Sequence, residues 1–401
     1  MKIVFFNRFF FPDTSATSQI LSDLAFHLAM QGREIHVVTS RQPGASEREE
    51  TIRGVVVHRV ADAPTAPHSL AQRAAAYLHY YRSARAEARA LVQRGDIAVL
   101  KTDPPLLSSV IGPLARTRGA KVVVWLQDLF PEAAHEYGVP GAGGLTGSLL
   151  RRWRDRTLAA ADRIVAISDG MARRLGHSDY RIHVIHNWAD GKAIAPIDRK
   201  ENSLRHAWGL ADAFVVAYSG NLGRVHEFDT VLDAAARMKA HADIQFVVIG
   251  RGPRLHEVQS RAEKQGLPNI RFEPHQSREK LSLSLGVGDV HLSILRPEFE
   301  GLVHPSKLYG IMAAGRPTIF VGDVEGETAA ILRQAGAGVS VPSGDSAALA
   351  AAIIALRNDP SERESIGMRA RKSFDERFDM PIALAHWERL LSSLEAFPSD
   401  Q

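Results

Sequence analysis

The chain has 401 residues, of which 45% are hydrophobic and 23% are charged, and it contains no cysteine. This length predicts two or three domains, and the lack of cysteine excludes disulfide bonds and thiolate metal sites. No apolar run is long enough to predict a transmembrane helix. The net charge is +4, and the basic excess lies in residues 1–190, which contain 24 Lys and Arg and 18 Asp and Glu. Such an excess suits either an anionic partner or an ordinary solvated surface.

The chain opens with MKIVFFNRFFFP, in which Asn7 and Arg8 interrupt the apolar stretch. No small-residue cleavage site follows, so we interpret this segment as a first buried strand rather than a signal peptide. Together with the lack of cysteine, this predicts a cytoplasmic protein. The basic N-terminal half leaves open a position at the inner face of an anionic membrane.

Short apolar runs typical of buried strands alternate with helical patterns along the whole chain. The runs of the N-terminal half are KIVFF, EIHVVT, VVVHRV, IAVLKT, KVVVWLQD, RIVAIS and RIHVIHN. Those of the C-terminal half are FVVAYSG, IQFVVIG, NIRFEP, DVHLSIL, PTIFVG and GVSV. This alternation predicts α/β structure with parallel sheets, in the form of two doubly wound domains.

A polar segment without clear periodicity, residues 188–213, separates the two series of strands and predicts an interdomain linker. We therefore expect an N-terminal domain over residues 1–190 and a C-terminal domain over residues 191–379. A helix predicted within residues 380–401 could pack on either domain, including back onto the first.

Glycines follow two strands of the C-terminal half, where ligands bind in open α/β sheets. Gly220 and Gly223 lie in FVVAYSGNLGR, and Gly250 precedes Arg251 in IQFVVIGRGP. Backbone N–H groups at such turns can hold a phosphate. Glycine is also common at these turns for steric reasons alone.

A third stretch, RPEFEGLVHPSKLYGIMAAGRP, spans residues 296–317. Ser306 is a suitable N-cap, and Gly315 is a suitable end for the helix that follows. Lys307 then falls in the first helical turn, where the helix dipole disfavours a cation. The pattern predicts either an anionic ligand at this helix end or a carboxylate that pairs with Lys307.

In their order and spacing, several stretches resemble the glycosyltransferases of the GT-B fold. The likeness is narrower to the retaining family 4 enzymes, in the branch of bacterial fucosyl- and N-acetylfucosaminyltransferases of polysaccharide assembly. The matching stretches are FFFPDTSATSQILSDLAFHLAMQGREIHVVTS, KTDPPLLSSVIGPLA, VVVWLQDLFPEAA, AADRIVAISDGMARRL, IHVIHNWAD, AYSGNLGRVHEFDTVLDAA, FVVIGRGP and EGLVHPSKLYGIMAAGRPTIFVG.

The resemblance implies two Rossmann-like domains that face each other across a cleft. It implies an acceptor at the N-terminal domain and a nucleotide sugar at the C-terminal domain, with a UDP-sugar favoured over a GDP-sugar. It further implies transfer with retention and without a metal or other cofactor. The expected acceptor is a saccharide, carried on a lipid diphosphate.

The chain departs from the family pattern at several positions. Glu300 matches the first of two glutamates usual in the family, but the second position falls on Gly310. We expect Glu327 to supply the missing ribose contact. Asn221 and His226 stand where the family commonly has an arginine and a lysine that hold the diphosphate. We therefore expect other cations to take over that role, namely Lys307 and Arg224.

The same resemblance assigns roles to the remaining candidates. Lys307 would stabilise the leaving diphosphate, and Glu300 would bind the donor sugar or a developing positive charge. Asp128, in Gln127–Asp128 where the family usually has His–Asp, would orient the acceptor or act as a base. It could instead only cap a helix. The residues expected to bind the nucleotide sugar are Gly220, Asn221, Arg224, Gly250, Arg251, His275, Lys307 and Glu327.

Two helical segments combine aromatic and basic residues, which suits a membrane interface or an ordinary helix face. One contains Tyr77, Tyr80 and Tyr81, and the other contains Trp153 among four arginines. No nucleic-acid-binding motif is present. Two other functions fit the same architecture: a sugar-nucleotide 2-epimerase and a non-catalytic module that binds sugar nucleotides.

Overall fold

A computed structural model of the chain describes residues 1–41, 47–62, 70–176 and 179–395. The chain divides into two compact units. Unit 1 comprises Met1–His186 and the residues from Leu384 onward, and unit 2 comprises Asn187–Ala383. Both units are α/β structures built on mainly parallel sheets, which confirms the predicted fold class.

The described part of unit 1 is built on an eight-stranded sheet. Its strands are β1 (Lys2–Phe6), β2 (Glu34–Arg41), β3 (Glu49–Ile52), β4 (Val55–Asp62), β5 (Ile97–Lys101), β6 (Lys121–Trp125), β7 (Arg163–Ala166) and β8 (Ile182–Val184). Their order is β3-β4-β2-β1-β5-β6-β7-β8, and β3 and β4 form the antiparallel pair. The strands β1, β5 and β6 are almost wholly buried, as apolar strands covered on both faces should be.

Helices connect these strands along the chain. They are α1 (Ala16–Met30), α2 (Leu70–Leu91), α3 (Leu107–Thr117), α4 (Glu132–Glu136), α5 (Gly144–Ala160) and α6 (Asp169–Leu175). The direction of the strand order reverses at β1, which lies between β2 and β5. The carboxyl ends of β1 and β5 therefore form the topological switch point of this sheet, where open α/β sheets bind their ligands.

Unit 2 contains a six-stranded parallel sheet. Its strands are β9 (Phe214–Asn221), β10 (Ile244–Arg251), β11 (Ile270–Glu273), β12 (Val290–Ile294), β13 (Thr318–Gly322) and β14 (Gly338–Pro342). Their order, β11-β10-β9-β12-β13-β14, is the doubly wound order of dinucleotide-binding folds, with the switch point at the carboxyl ends of β9 and β12. Its helices are α7 (Ser203–Ala207), α8 (Asp229–Arg237), α9 (Leu255–Lys264), α10 (Leu281–Gly286), α11 (Lys307–Ala313), α12 (Glu327–Ala335), α13 (Ser346–Asn358) and α14 (Pro360–Arg377).

Residues 188–213, predicted as a linker, are packed into unit 2. The Asn202 side chain caps α7 by accepting from the Arg205 N–H at 3.0 Å. The Arg205 guanidinium is fully buried and pairs with Asp289 at 2.9 Å, just before β12. A buried ion pair thus anchors this segment in unit 2.

The last helix, α15 (Met380–Glu395), begins in unit 2, and from Leu384 onward it belongs to unit 1. Trp387 is fully buried and packs against Trp125 at the end of β6, with ring centroids 4.5 Å apart. Glu388 accepts a hydrogen bond from His27 of α1 at 2.5 Å. The C-terminal helix therefore completes the core of unit 1.

Candidate functional site

The candidate donor site lies at the switch point of unit 2. The strand β9 ends at Asn221, and the segment after β12 leads through Glu300 to the first residue of α11, Lys307. Parallel strands bring their carboxyl ends to one edge of the sheet. Two segments that were singled out separately in the sequence therefore meet in space.

The structure explains why glycines stand at the ends of β9 and β10. A Cβ on Gly250 would lie 2.0 Å from the carbonyl oxygen of Gly220, on the neighbouring strand. Gly220 itself has φ +142°, which side chains rarely adopt. A Cβ there would lie 3.5 Å from Nζ of Lys307. Gly250 therefore allows the two strand ends to approach closely, and Gly220 provides a backbone conformation beside the lysine that other residues rarely adopt.

Lys307 is the first residue of its helix, as predicted, but it pairs with no carboxylate among the described residues. Its Nζ donates a hydrogen bond to the hydroxyl of Tyr218 on β9 and lies 3.7 Å from the centroid of that ring. Burial lowers the pKa of Lys307 well below its usual value. The expectation that a nearby carboxylate explains this lysine is therefore wrong, and its amino group has no counter-charge among the described residues.

His226 lies beside this lysine and is uncharged. Burial, and then the charge of Lys307, lower its pKa to about 2. Its Nδ1 accepts a hydrogen bond from the Gly223 N–H at 3.1 Å. His226 therefore cannot supply the positive charge that the family usually places near this position, and Lys307 can.

Glu300 makes a contact that the sequence did not predict. One carboxylate oxygen accepts a hydrogen bond from the backbone N–H of Glu327, at the start of α12, at 2.8 Å. A Cβ on Gly326 would lie 2.6 Å from the other oxygen, so glycine is needed for this approach. The carboxylate thus caps α12, and it brings Glu300 and Glu327 together. The assignment of both to the donor stays a prediction.

The remaining predicted donor residues are accessible to solvent. Asn221, Arg224, Arg251 and His275 are exposed, and Arg251 lies opposite Asn221 in the β9–β10 register. Loss of hydration, and then the nearby charge of Arg251, lower the pKa of His275. Arg224 forms no ion pair with any residue that the structure describes.

At the switch point of unit 1 lies a group of charged residues. Asp103 follows β5, and its carboxylate pairs with Arg8, after β1, at 3.1 Å. Lys101, the last residue of β5, is fully buried, donates to the carbonyl oxygen of Thr17 at 3.3 Å and lies 3.6 Å from the Trp125 ring centroid. Sequence reasoning missed Lys101, Asp103 and Arg8. The charges of KTD directly after a strand were a signal that could have revealed them.

Asp128 follows β6 and is exposed at the surface of unit 1. Loss of hydration, and then the charge of Asp103, raise its pKa to about 6, while Lys101 opposes this shift. Because the side chain reaches solvent, we give more weight to Asp103 as the cause. At neutral pH the carboxylate is mostly ionised and can accept a proton or a hydrogen bond.

Other acidic and polar residues of unit 1 have local structural roles. Asp13 accepts hydrogen bonds from the Ser15 N–H at 2.8 Å and from its hydroxyl at 2.5 Å, in the turn before α1. Glu132 pairs with Arg154 at 2.6 Å. His186 bonds to the carbonyl oxygen of Ile167 at 3.1 Å, which indicates packing.

The described residues contain no cluster of three or more His, Cys, Asp or Glu side chains placed to hold a metal ion. Among the same residues, we find no helix with the length and apolar character that crossing a membrane requires.

Two family descriptions match the chain, one for each unit. Residues 18–191 match Glycosyltransferase Family 4, and residues 201–373 match Glycosyl transferases group 1. The fold is the two-domain GT-B architecture, and each unit is similar to one glycosyltransferase family description. The narrower fucosyl-type branch stays a prediction.

Individual proteins show the same likeness. The chain is 30% identical over 261 residues to "Probable glycosyltransferase WbjE" of Pseudomonas aeruginosa, covering 64% of this chain and 65% of that protein. It is 28% identical over 217 residues to "Putative colanic acid biosynthesis glycosyl transferase WcaI" of Escherichia coli, covering 52% and 53%. The solved structure of Anabaena HepE with UDP and glucose is similar in fold, with a TM-score of 0.72, 17% identity and coverage of 98% and 100%.

The capping role of Glu300 can be tested by unfolding. We expect Glu300→Ala to lower the free energy of unfolding by about 1–2 kcal/mol, because the Glu327 N–H loses its acceptor. Glu300→Gln keeps one oxygen and should lose less. The measurement is denaturant unfolding. Glu298→Ala removes an exposed carboxylate two residues away and is the control, with an expected change near zero. Equal midpoints for the Glu300→Ala and Glu298→Ala proteins would contradict the capping role.

Proposed function

We propose that the protein transfers a sugar from a nucleoside-diphosphate sugar to a saccharide acceptor, with retention, in the assembly of a cell-surface polysaccharide. UDP is the favoured nucleotide and GDP is the alternative. Unit 2 would bind the donor, and unit 1 would bind the acceptor, expected to be carried on a lipid diphosphate. The observation that carries this proposal is the ammonium of Lys307, which lies at the switch point of unit 2 without a counter-charge.

The charge of Lys307 suits the chemistry of the donor. When the anomeric carbon–oxygen bond breaks, negative charge grows on the leaving diphosphate, and a fixed cation in a site of low hydration stabilises it. The exposed guanidinium of Arg224 is free to add a second charge. We propose that no metal or other cofactor is required.

The anomeric configuration is retained if the acceptor oxygen attacks the anomeric carbon from the face from which the nucleotide departs. The new glycosidic bond then forms as the old one breaks, and the acceptor proton passes to an oxygen of the leaving phosphate. Glu300 and Glu327 would contact the donor sugar and ribose. Asp128, ionised at neutral pH, would accept a hydrogen bond from the acceptor hydroxyl.

One relative supports the biosynthetic setting, and one fold neighbour supports the nucleotide. WcaI is named for colanic acid biosynthesis, and HepE has been crystallised with UDP and glucose. The alternatives, a sugar-nucleotide 2-epimerase or a binding module, would explain the donor site equally. They give no role to the charged group at the switch point of unit 1.

A face of α5 supports contact with an anionic membrane. Leu145, Leu149 and Trp153 recur at every fourth residue and are 80%, 55% and 42% exposed. The arginines beside them, Arg151, Arg152 and Arg156, are also exposed, whereas Arg154 is buried and paired with Glu132. An apolar stripe flanked by arginines suits a bilayer with anionic headgroups. We propose that the protein acts at the cytoplasmic face of such a membrane.

The second aromatic segment does not share this character. On α2, Tyr80 is fully buried and donates to the Val38 carbonyl oxygen at 3.0 Å. Tyr81 is partly buried and donates to the carbonyl oxygen of Pro105. For this helix the reading as an ordinary packed face is therefore supported.

The reaction can be tested with nucleotide sugars, with and without a lipid-diphosphate-linked saccharide. We expect transfer only when the acceptor is present, and full activity in excess chelator, because fixed protein cations replace a metal. Epimerised sugar nucleotide in the absence of acceptor would support the isomerase. Binding without turnover of any donor would support the module, and dependence on added Mg²⁺ or Mn²⁺ would contradict the proposed charge stabilisation.

The role of Lys307 predicts an asymmetry between two variants. Lys307→Ala should weaken UDP binding about 10- to 100-fold, since a charge-assisted contact contributes roughly 1.5–3 kcal/mol. Lys307→Arg should restore part of it, because a planar fork replaces a compact charge. Glu300→Gln should slow turnover but leave UDP affinity unchanged, because Glu300 is assigned to the sugar. Calorimetry with UDP measures the UDP affinity of each variant. An unchanged affinity in Lys307→Ala would mean that the lysine does not bind the diphosphate.

The membrane face predicts binding to anionic vesicles at low salt. Release is expected near 0.5 M salt, where the Debye length is roughly 4–5 Å. Replacing Leu145, Leu149 and Trp153 by serine should weaken binding roughly tenfold or more, since apolar area no longer enters the bilayer. Serine at Met30 and Tyr180, two exposed apolar positions elsewhere in unit 1, is the control. Equal sedimentation with neutral vesicles, or equal loss in the control, would rule this face out.

A further inference from the structure

The ammonium group of Lys307 is surrounded by uncharged groups. It donates to the hydroxyl of Tyr218 and lies 3.7 Å from the centroid of the same ring. Removing a cation from water without a counter-charge is costly, and a π face and a hydroxyl oxygen offset part of that cost. Tyr218 therefore stabilises the lysine in a place where other proteins would use a carboxylate.

The hydrogen bonds around Tyr218 have a fixed direction. The Tyr218 hydroxyl donates to the carbonyl oxygen of Asn221 at 2.7 Å, and an ammonium can only donate. The chain of bonds runs from Lys307 to Tyr218 and on to the backbone at the end of β9. The position of the ammonium is thus tied to the end of β9, which contains Gly220.

The ring of Tyr218 is held in place on its other sides. It is 1% exposed, and it meets the edges of Phe228 and His226 at centroid distances of 4.9 and 5.9 Å. Arg254 donates to the His226 carbonyl oxygen at 2.6 Å and fixes that residue in turn. The tyrosine cannot turn away from the lysine without disturbing this packing.

We propose that Tyr218 is a positioning residue of the donor site. It holds the Lys307 ammonium at the carboxyl end of β9 without a counter-charge, so that the diphosphate of the donor supplies the missing negative charge. This inference rests on the proposed donor role of Lys307 and adds Tyr218 as the residue on which that role depends.

A measurable consequence is proton uptake on binding. Burial lowers the pKa of Lys307 in the free protein, and a diphosphate beside the ammonium favours its charged form and raises that pKa. As the pH rises through the pKa of Lys307 in the free protein, nucleotide binding must be accompanied by uptake of a proton, and the affinity falls. The pKa of Tyr218 is raised by burial, that of His226 is about 2, and the pKa of Arg254 is raised chiefly by its hydrogen bond to Glu257. None of these three changes charge in this range, so the uptake reports Lys307.

The experiment is calorimetry with UDP, or with GDP if UDP does not bind, between about pH 7 and pH 8.5, where the bases stay neutral, in buffers of different ionisation enthalpy. We expect proton uptake that grows with pH in the natural protein and is absent in Lys307→Met. In Tyr218→Phe the ammonium loses its acceptor. Uptake should then begin at lower pH, and affinity at neutral pH should fall about 2- to 10-fold. Tyr309→Phe is the matched control, because Tyr309 lies on the same helix as Lys307. It removes another buried hydroxyl, which bonds to His304 at 2.9 Å. This variant should behave as the natural protein.

The outcomes separate the two ideas. If Tyr218→Phe matches the natural protein in affinity and in the pH of uptake while Lys307→Met loses both, the role of Tyr218 is overturned and that of Lys307 stands. If Lys307→Met binds normally, or neither nucleotide binds, the proposed donor site itself fails and Tyr218 with it. Should Tyr218→Phe not fold, protein containing 3-fluorotyrosine keeps the ring and weakens its oxygen as an acceptor. A shift of uptake to lower pH is again expected, and no shift would overturn the proposal.

Discussion

The contact between the Lys307 ammonium and Tyr218 is the interaction on which the donor site depends. It joins the first residue of α11 to the strand β9, whose end forms the switch point of unit 2. Gly220, with φ +142°, lies beside the lysine at this strand end, and the close packing of β9 against β10 needs Gly250. His226 remains neutral beside the lysine, so it adds no positive charge to this cluster.

A similar arrangement occurs in unit 1, with a different charge balance. Lys101 ends β5 and lies 3.6 Å from the Trp125 ring centroid, as Lys307 lies 3.7 Å from that of Tyr218. Trp125 is supported by Trp387 of α15, so the C-terminal helix backs this region. Around Lys101, however, carboxylates are present. Asp103 and Asp128 both oppose the effect of burial on its pKa.

This difference fits the proposed division of work between the units. An unbalanced cation suits a diphosphate, which carries the complementary charge. A group of mixed charge suits a saccharide, whose hydroxyls both donate and accept hydrogen bonds. The partial titration of Asp128 near pH 6 would make the acceptor step weaken under acidic conditions, as the carboxylate is protonated.

Much of the fold could be predicted from the sequence, because apolar runs bounded by glycines and helical patterns mark covered parallel strands. The start of α11 at Lys307 was predicted from Ser306, although the Ser306 side chain makes no capping hydrogen bond there. The short strand β3 was missed, since three of the four residues of EETI are polar and the strand lies at the sheet edge. The packing of residues 188–213 has no local sign in the sequence, because the buried Arg205–Asp289 pair joins residues 84 positions apart.

The site was less predictable for the same reason. That Lys307 needed a partner could be inferred from the helix dipole, but an aromatic partner 89 positions away in sequence could not. Glu300 matched a family position, yet its bond to the start of α12 depends on a turn 27 residues further on. Lys101 and Asp103 looked like an ordinary strand end, and only the order of the sheet places them at a switch point.

The central claim is that Lys307 recognises the second phosphate of the donor nucleotide. The most direct test compares the affinities of UDP and UMP in the natural protein and in Lys307→Met. The account predicts that UDP binds the natural protein roughly tenfold or more tighter than UMP, and that this advantage largely disappears in the variant. An equal advantage of UDP over UMP in both proteins would contradict the claim, because the second phosphate would then be bound without the lysine.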